Sequence, residues 1–176
     1  MKFLTDGMLG KLTRWLRLLG YDVKYSRSLN DEQLIEIAKK ENRVLLTRDL
    51  ELYRQAMVQR INSFFVERTT EAKKLASLAK RFNLKLDFDV TISRCPKCNS
   101  RIKPIAKKEI AGKVPETTAL YYDEFWKCPN CEKIYWQGAH WKKINKTLEE
   151  AKEILAHAEN KAKKIENGVC LKRLKP

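Results

Sequence analysis

The 176-residue chain carries 37 lysines and arginines against 22 aspartates and glutamates, a formal charge of +15, and 43% of its residues are hydrophobic. That is enough apolar material for a core, so a globally disordered chain is excluded. The basic excess favours a polyanionic partner, nucleic acid ahead of an anionic membrane surface. No apolar stretch approaches the roughly 18–20 residues of a membrane span. Asp6 breaks any apolar region in "MKFLTDGMLG", so no secretory leader is expected and the protein is read as cytoplasmic.

In chain order, "FLTD" at 3–6 reads as a short strand ending on Asp6. From Gly7 to Leu19, Met8, Leu9, Leu12, Trp15, Leu16 and Leu19 recur at helical spacing, with Lys11, Arg14 and Arg17 on another side and Gly20 placed to end the helix. "YDVKYS" alternates like a strand. Asn30, with Gln33 after it, opens a helix carrying Leu34, Ile35, Ile37 and Ala38. "VLLT" at 44–47 reads as the next strand, followed by a helix over roughly 50–60, the short run "SFFV" at 63–66 and a helix over roughly 70–82. Strands alternating with helices through short connections predict an α/β fold with a mainly parallel sheet and covering helices. "LKLDFDVTI" at 84–92 reads either as a further strand or as the way out of this domain.

Composition shifts at Arg94. The segment 94–144 holds three of the four tryptophans and little helical periodicity. Residues 147–166 are helix-like, with Leu148, Ala151, Ile154, Leu155, Ala158 and Ala162 on one side, Gly168 placed to end the helix, and a basic tail containing Cys170.

Ligands of a parallel α/β sheet collect at the carboxyl ends of its strands. Asp6 follows the first strand, Asp49 follows the third, and Asp31 lies in the first turn of the intervening helix. Each is equally well placed as a helix cap. Together at one sheet edge, they suit a hard divalent cation, Mg²⁺ or Mn²⁺, of the kind that assists phosphodiester hydrolysis. Thr47 is placed to hydrogen-bond a carboxylate and Arg48 to meet a phosphate; the alternative for either is plain surface.

Cys95 and Cys98 in "CPKC" and Cys128 and Cys131 in "CPNC" form two Cys-x-x-Cys units, which in a reducing compartment imply metal. Two such knuckles complete a tetrahedral, closed and therefore structural Zn²⁺ site. His140 in "GAHW" is left as a packed, RNA-contacting or metal-adjacent residue. Trp126, Tyr135, Trp136 and Trp141 are interleaved with Lys127, Lys133, Lys142 and Lys143. Such aromatics either stack on bases or form the small core of the segment.

"FLTDGMLGKLTRWLRLLGYDVKY", "VLLTRD", "RCPKCN", "FWKCPNC" and "YWQGAHW" occur in one order over residues 2–143. Together they closely resemble the Mut7-C family (DUF82), a PIN-like ribonuclease domain joined to a zinc ribbon. The resemblance implies a PIN-like nuclease domain over 1–92 and a zinc ribbon over 93–146; the C-terminal helix and basic tail, 147–176, lie outside it. It implies that Asp6, Asp31 and Asp49 are the catalytic, metal-binding acids. PIN nucleases usually carry another acid on a helix before this unit, and Asp22 and Glu32 are the nearest candidates here. The expected activity is metal-dependent hydrolysis of RNA phosphodiesters, with the ribbon assisting RNA binding. Lys11, Arg14, Arg17, Arg48, His140 and Trp141 are the RNA-contact candidates, and ribosomal and transfer RNA are the candidate partners. The alternative is a non-catalytic RNA- or ribosome-binding protein on a PIN-like scaffold. A DNA-binding regulator lacks any helix-turn-helix or finger spacing.

Overall fold

Strand and helix alternate through the first part of the chain in a computed structural model that describes residues 1–172, with side chains described through Lys161. The chain divides into two compact units, the first comprising 1–68 and 87–141, the second 69–86 and the residues from 142 onward.

In the first unit, β1 (Lys2–Thr5), β2 (Asp22–Tyr25), β3 (Val44–Thr47) and β4 (Ser63–Phe65) form a four-stranded sheet, all parallel, in the order β2-β1-β3-β4. The central pair is the most apolar. Phe3, Leu4, Leu45 and Leu46 are wholly buried, as two-sided coverage of a parallel strand requires. The segment after β1 splits into a tight 3-10 turn, Gly7–Leu9, and then α1 (Gly10–Leu18), because Asp6 caps the turn by accepting from the Met8 amide. α2 (Asp31–Lys40) begins in the expected capping box of Asn30 and Gln33, and α3 (Leu50–Val58) is capped by Asp49. Leu34, Ile35 and Ala38 of α2 join Leu52 and Ala56 of α3, Leu4, Leu45 and Ile61 in one apolar cluster.

Residues 84–92 form no strand. They lead into a second, antiparallel sheet of β5 (Lys103–Ile105), β6 (Phe125–Lys127) and β7 (Ile134–Tyr135), with a short helix, α5 (Glu116–Tyr121), between β5 and β6. In the second unit, α4 (Glu71–Phe82) is capped by Thr70 and ends on Asn83 in the left-handed conformation. α6 runs His140–Lys172, starting earlier than its periodicity indicates and continuing past Gly168. Leu148 and Ala151 are buried, and Ile154, Leu155 and Ala158 half-buried. The side chains of Ala162 and Cys170, and the end of the basic tail, lie outside the described residues. Among the described residues no helix is long and apolar enough to cross a membrane.

Within the first unit, side chains tie the antiparallel module to α1 and β2. Arg17, expected beside Arg14 on one exposed face, is only 5% exposed. Its guanidinium donates to the Val23 carbonyl through Nε (3.1 Å) and Nη2 (2.7 Å), and through Nη1 to the carbonyls of Pro96 and Lys97, both at 3.0 Å. Burial pulls its pKa below the usual arginine value, and the Cys95 and Cys98 sulfurs, Asp22 and Tyr25 oppose that shift. Asn99 completes the grip: its Oδ1 accepts from the Val23 amide (3.1 Å) and its Nδ2 donates to Asp22 (2.9 Å). The last carbonyls of α1, which no helix can satisfy internally, are taken by the same segment. Arg94 N donates to Arg17 O, and Ser93 Oγ to Leu18 O. Arg94 Nε reaches Gly20 O at 3.2 Å. Gly20 has φ 88°, and a Cβ there would meet Ile92 O at 2.9 Å, so only glycine lets the two backbones approach. Lysine cannot reproduce the Arg17 fork. Arg17→Lys should therefore leave buried carbonyls unpaired and lower unfolding stability by about 3 kcal/mol, measured by urea denaturation; a loss below about 1 kcal/mol would show that the fork is dispensable.

Candidate functional site

The strand order sends the chain to one side after β1 and to the other after β3, which makes the carboxyl ends of this central pair the topological switch point, the usual ligand site of such sheets. Asp6 follows β1 directly, Asp49 follows β3, and Asp31 opens α2. Asp6 is buried and held by three donors. Its Oδ1 accepts from Met8 N (2.8 Å), and its Oδ2 from Arg48 N (2.9 Å) and the Thr47 hydroxyl. The same Thr47 oxygen accepts from Asp49 N at 2.9 Å. One buried hydroxyl thus joins the two strand-end aspartates. The Asp49 side chain is exposed and caps α3, its Oδ1 accepting from Glu51 N (2.8 Å) and Leu52 N (3.1 Å). Its second oxygen takes no part in these bonds.

Asp31 is half-buried, and its carboxyl is pushed above the usual range by burial, then by the charges of Asp49, Asp6 and Glu51. The charges of Asp49, Asp6 and Glu51 thus reach Asp31. Sequence reasoning missed Glu51. The available signal was its place in the first turn of the helix that Asp49 caps. Asp22 is not the additional acid. It starts β2 and so lies at the amino edge of the sheet, where bonds from Arg43 (2.9 Å) and Asn99 outweigh burial and hold its carboxyl low. Glu32 is exposed on α2. Carboxylate oxygens are the donors a hard divalent ion takes, and Mg²⁺ commonly keeps several waters beside one or two carboxylates. Such an ion fits the chemistry of this edge. The three aspartates do not, however, bring even one oxygen each within 4.8 Å of one another, as the cysteines below bring their sulfurs.

The four cysteine sulfurs all lie within 4.8 Å of one another. Cys95 and Cys131 are 3.5 Å apart and Cys98 and Cys128 3.3 Å, slightly under the edge of a tetrahedron with Zn–S bonds of about 2.3 Å. The two knuckles are built alike. In one, Cys95 N donates to Ser100 O and Asn99 N to Cys95 O; in the other, Cys128 N donates to Lys133 O and Glu132 N to Cys128 O. Each places the residue after its second cysteine, Asn99 or Glu132, at positive φ. Tyr135 Oη contacts Cys95 Sγ at 3.0 Å, and burial holds its phenol well above the usual pKa, so it stays a donor to the sulfur. The donor set fits one structural Zn²⁺.

Lys11 and Arg14 are exposed on α1, and Arg48 is half-buried beside Asp6. His140 is exposed, whereas Trp141 packs edge-on against Phe88 with ring centroids 4.2 Å apart. Trp126 is buried, so the packing alternative holds for it too.

A mainly parallel α/β domain with acids at its carboxyl edge, joined to a four-cysteine ribbon, defines the class. The family model described as the Mut7-C RNAse domain matches residues 1–148, and the chain belongs to that family. The description points to an RNase-like function and to RNA as the ligand. No curated protein and no solved structure gives a significant match.

Besides its cysteines the ribbon buries few large side chains, Ile110, Phe125 and Trp126, so its metal should stabilise it directly. Elemental analysis should find one zinc per chain, and Cys98→Ser should lose it. For Asp31 the sign follows from its raised pKa. The penalty that burial and repulsion place on its charge is absent below the unfolded-state value, about 3.9, builds as the pH rises from there to the raised folded-state value, and is complete above it. In buffer without Mg²⁺ or Mn²⁺, Asp31→Asn should raise Tm at pH 7, and the gain should vanish as the pH falls to about 4. An equal effect at both pH values would mean that charge is not the cause.

Proposed function

We propose that the protein is a metal-dependent ribonuclease, with Asp6, Asp31 and Asp49 as its catalytic and Mg²⁺- or Mn²⁺-binding acids. The observation that carries this reading is the buried Thr47 hydroxyl at the end of β3, which donates to the Asp6 carboxylate at the end of the neighbouring strand and accepts from the backbone amide of Asp49. When bound, a divalent ion supplies charge neutralisation at the phosphate and a reactive water at neutral pH. The chain's own contribution is orientation. Three donors fix Asp6, the α3 amides fix one oxygen of Asp49, and Asp31 supplies a carboxylate whose charge burial and its acidic neighbours disfavour. Lys11, Arg14 and Arg48 surround this edge in sequence and serve as phosphate contacts, and the ribbon assists RNA binding. The acting compartment is the cytoplasm.

A second reading, a non-catalytic RNA- or ribosome-binding protein, is favoured by one observation: Asp6 and Asp49 already serve as caps, and the acids stand apart from one another. Cleavage separates the two. With Mn²⁺, the wild-type protein should cut single-stranded RNA, and Asp49→Asn should lower the rate by about 100-fold or more while keeping the circular dichroism spectrum, the scale seen when one positioned group is lost from catalysis. Equal cleavage by both proteins would remove these acids from the mechanism, and no cleavage by either would leave the binding reading.

A further inference from the structure

Between α1, the end of β2 and the ribbon lies a cavity of about 370 Å³. Arg14, Arg27, Lys97 and Lys133 line it, with Arg17 beneath, and no carboxylate does. Among the described residues none of these cations forms an ion pair. Arg17 spends its donors on backbone carbonyls, which leaves a poorly solvated positive charge under the cavity. A concave site with such a lining selects an anion.

Two phenols also face the cavity, Tyr25 from the sheet and Tyr135 from the ribbon. Tyr25 Oη donates to Gly7 O (3.2 Å) and accepts from Arg27 Nε (2.8 Å). Its ring lies against the start of α1, where a Cβ on Gly10 would stand 2.8 Å from Oη. Gly7 is the residue after Asp6, so the cavity adjoins the acidic edge. A volume of 370 Å³ belongs with small-ligand pockets, about 300–1,000 Å³, and does not admit a duplex. Unpaired bases stack on aromatic rings while their phosphates meet lysine and arginine.

We propose that this cavity binds one unstacked nucleotide of a single-stranded RNA, its phosphate held by Arg14, Arg27, Lys97 and Lys133 and its base by the tyrosine rings, on the flank of the acidic edge. The proposal rests on RNA being the ligand and not on cleavage. It makes the ribbon half of the substrate site, and zinc the means by which Lys97, Lys133 and Tyr135 are held in place.

The test is fluorescence anisotropy with full-length, zinc-loaded protein carrying Asp49→Asn, so that RNA stays intact whether or not the wild type is a nuclease. The probes are a single-stranded RNA octamer of mixed sequence and its blunt duplex. Lys97→Ala with Lys133→Ala should raise Kd for the single strand about 10-fold or more. It should also reduce the slope of log K against log salt by about 1.4, since each phosphate contact on a single strand contributes about 0.7. Lys73→Ala with Lys80→Ala, an equal charge change on exposed positions of α4, should alter Kd by less than about two-fold. If the double variant fails to keep its zinc, Arg14→Ala should give a slope change of about 0.7. An effect no larger than that of the α4 control overturns the proposal, as does duplex binding as tight as single-strand binding. Uridine monophosphate displacing the octamer at equal concentration would assign the cavity to a free nucleotide and overturn it as well.

Discussion

A buried guanidinium that answers to backbone carbonyls instead of a carboxylate organises the first unit. Burying a charge is costly unless its hydrogen bonds are made, and Arg17 makes them to both sides of a junction: Val23 on the edge strand, and Pro96 and Lys97 in the first knuckle. The compensation is electrostatic as well. Four thiolates around one divalent ion carry net negative charge, and the Cys95 and Cys98 sulfurs act on Arg17 from the knuckle it grips. Helix, sheet edge and ribbon therefore meet at Arg17, with Asn99, Ser93 and Arg94 bonding across the same junction.

At the acidic edge, capping and metal binding turn out to be compatible duties. Asp49 caps α3 with one oxygen and retains another; Asp6 caps the 3-10 turn and is tied to Asp49 through Thr47. A cap worth about 1 kcal/mol fixes where a carboxylate points. The bland and the sharp accounts of these aspartates describe the same geometry at different oxygens. Asp31, with no side-chain cap to make because Asn30 holds that position, is the acid whose ionisation the others disfavour.

The parallel sheet was legible because β1, β3 and the intervening helices carry strong periodicity, and the metal centre because Cys-x-x-Cys spacing is short-range. What escaped depended on distance along the chain or on direction. Arg14 and Arg17 look alike one helical turn apart, yet only Arg17 meets partners 79 and 80 residues away. Asp22 resembles the other acids until the parallel direction of β2 places it at the opposite edge. Alternation left the stretch 84–92 open between a strand and the way out of the domain, and it is the latter, with Leu84 and Leu86 buried in no strand. For Trp141, where spacing left stacking on bases and packing both open, the ring is half-buried against Phe88, a contact 53 residues away.

β2 is an outer strand of the sheet, and at Val23 its exposed side is closed by side chains: the amide goes to Asn99 and the carbonyl to Arg17. Such closure is how sheets avoid pairing with other chains. Asn99, however, is 76 residues further along the sequence than Val23. At translation rates of about 5–20 residues per second, the nascent strand waits roughly 4–15 s for the residue that covers it. The guard of the sheet is thus synthesised last among its parts, and the time during which the newborn protein is open to mispairing is set by how soon the first knuckle emerges and closes.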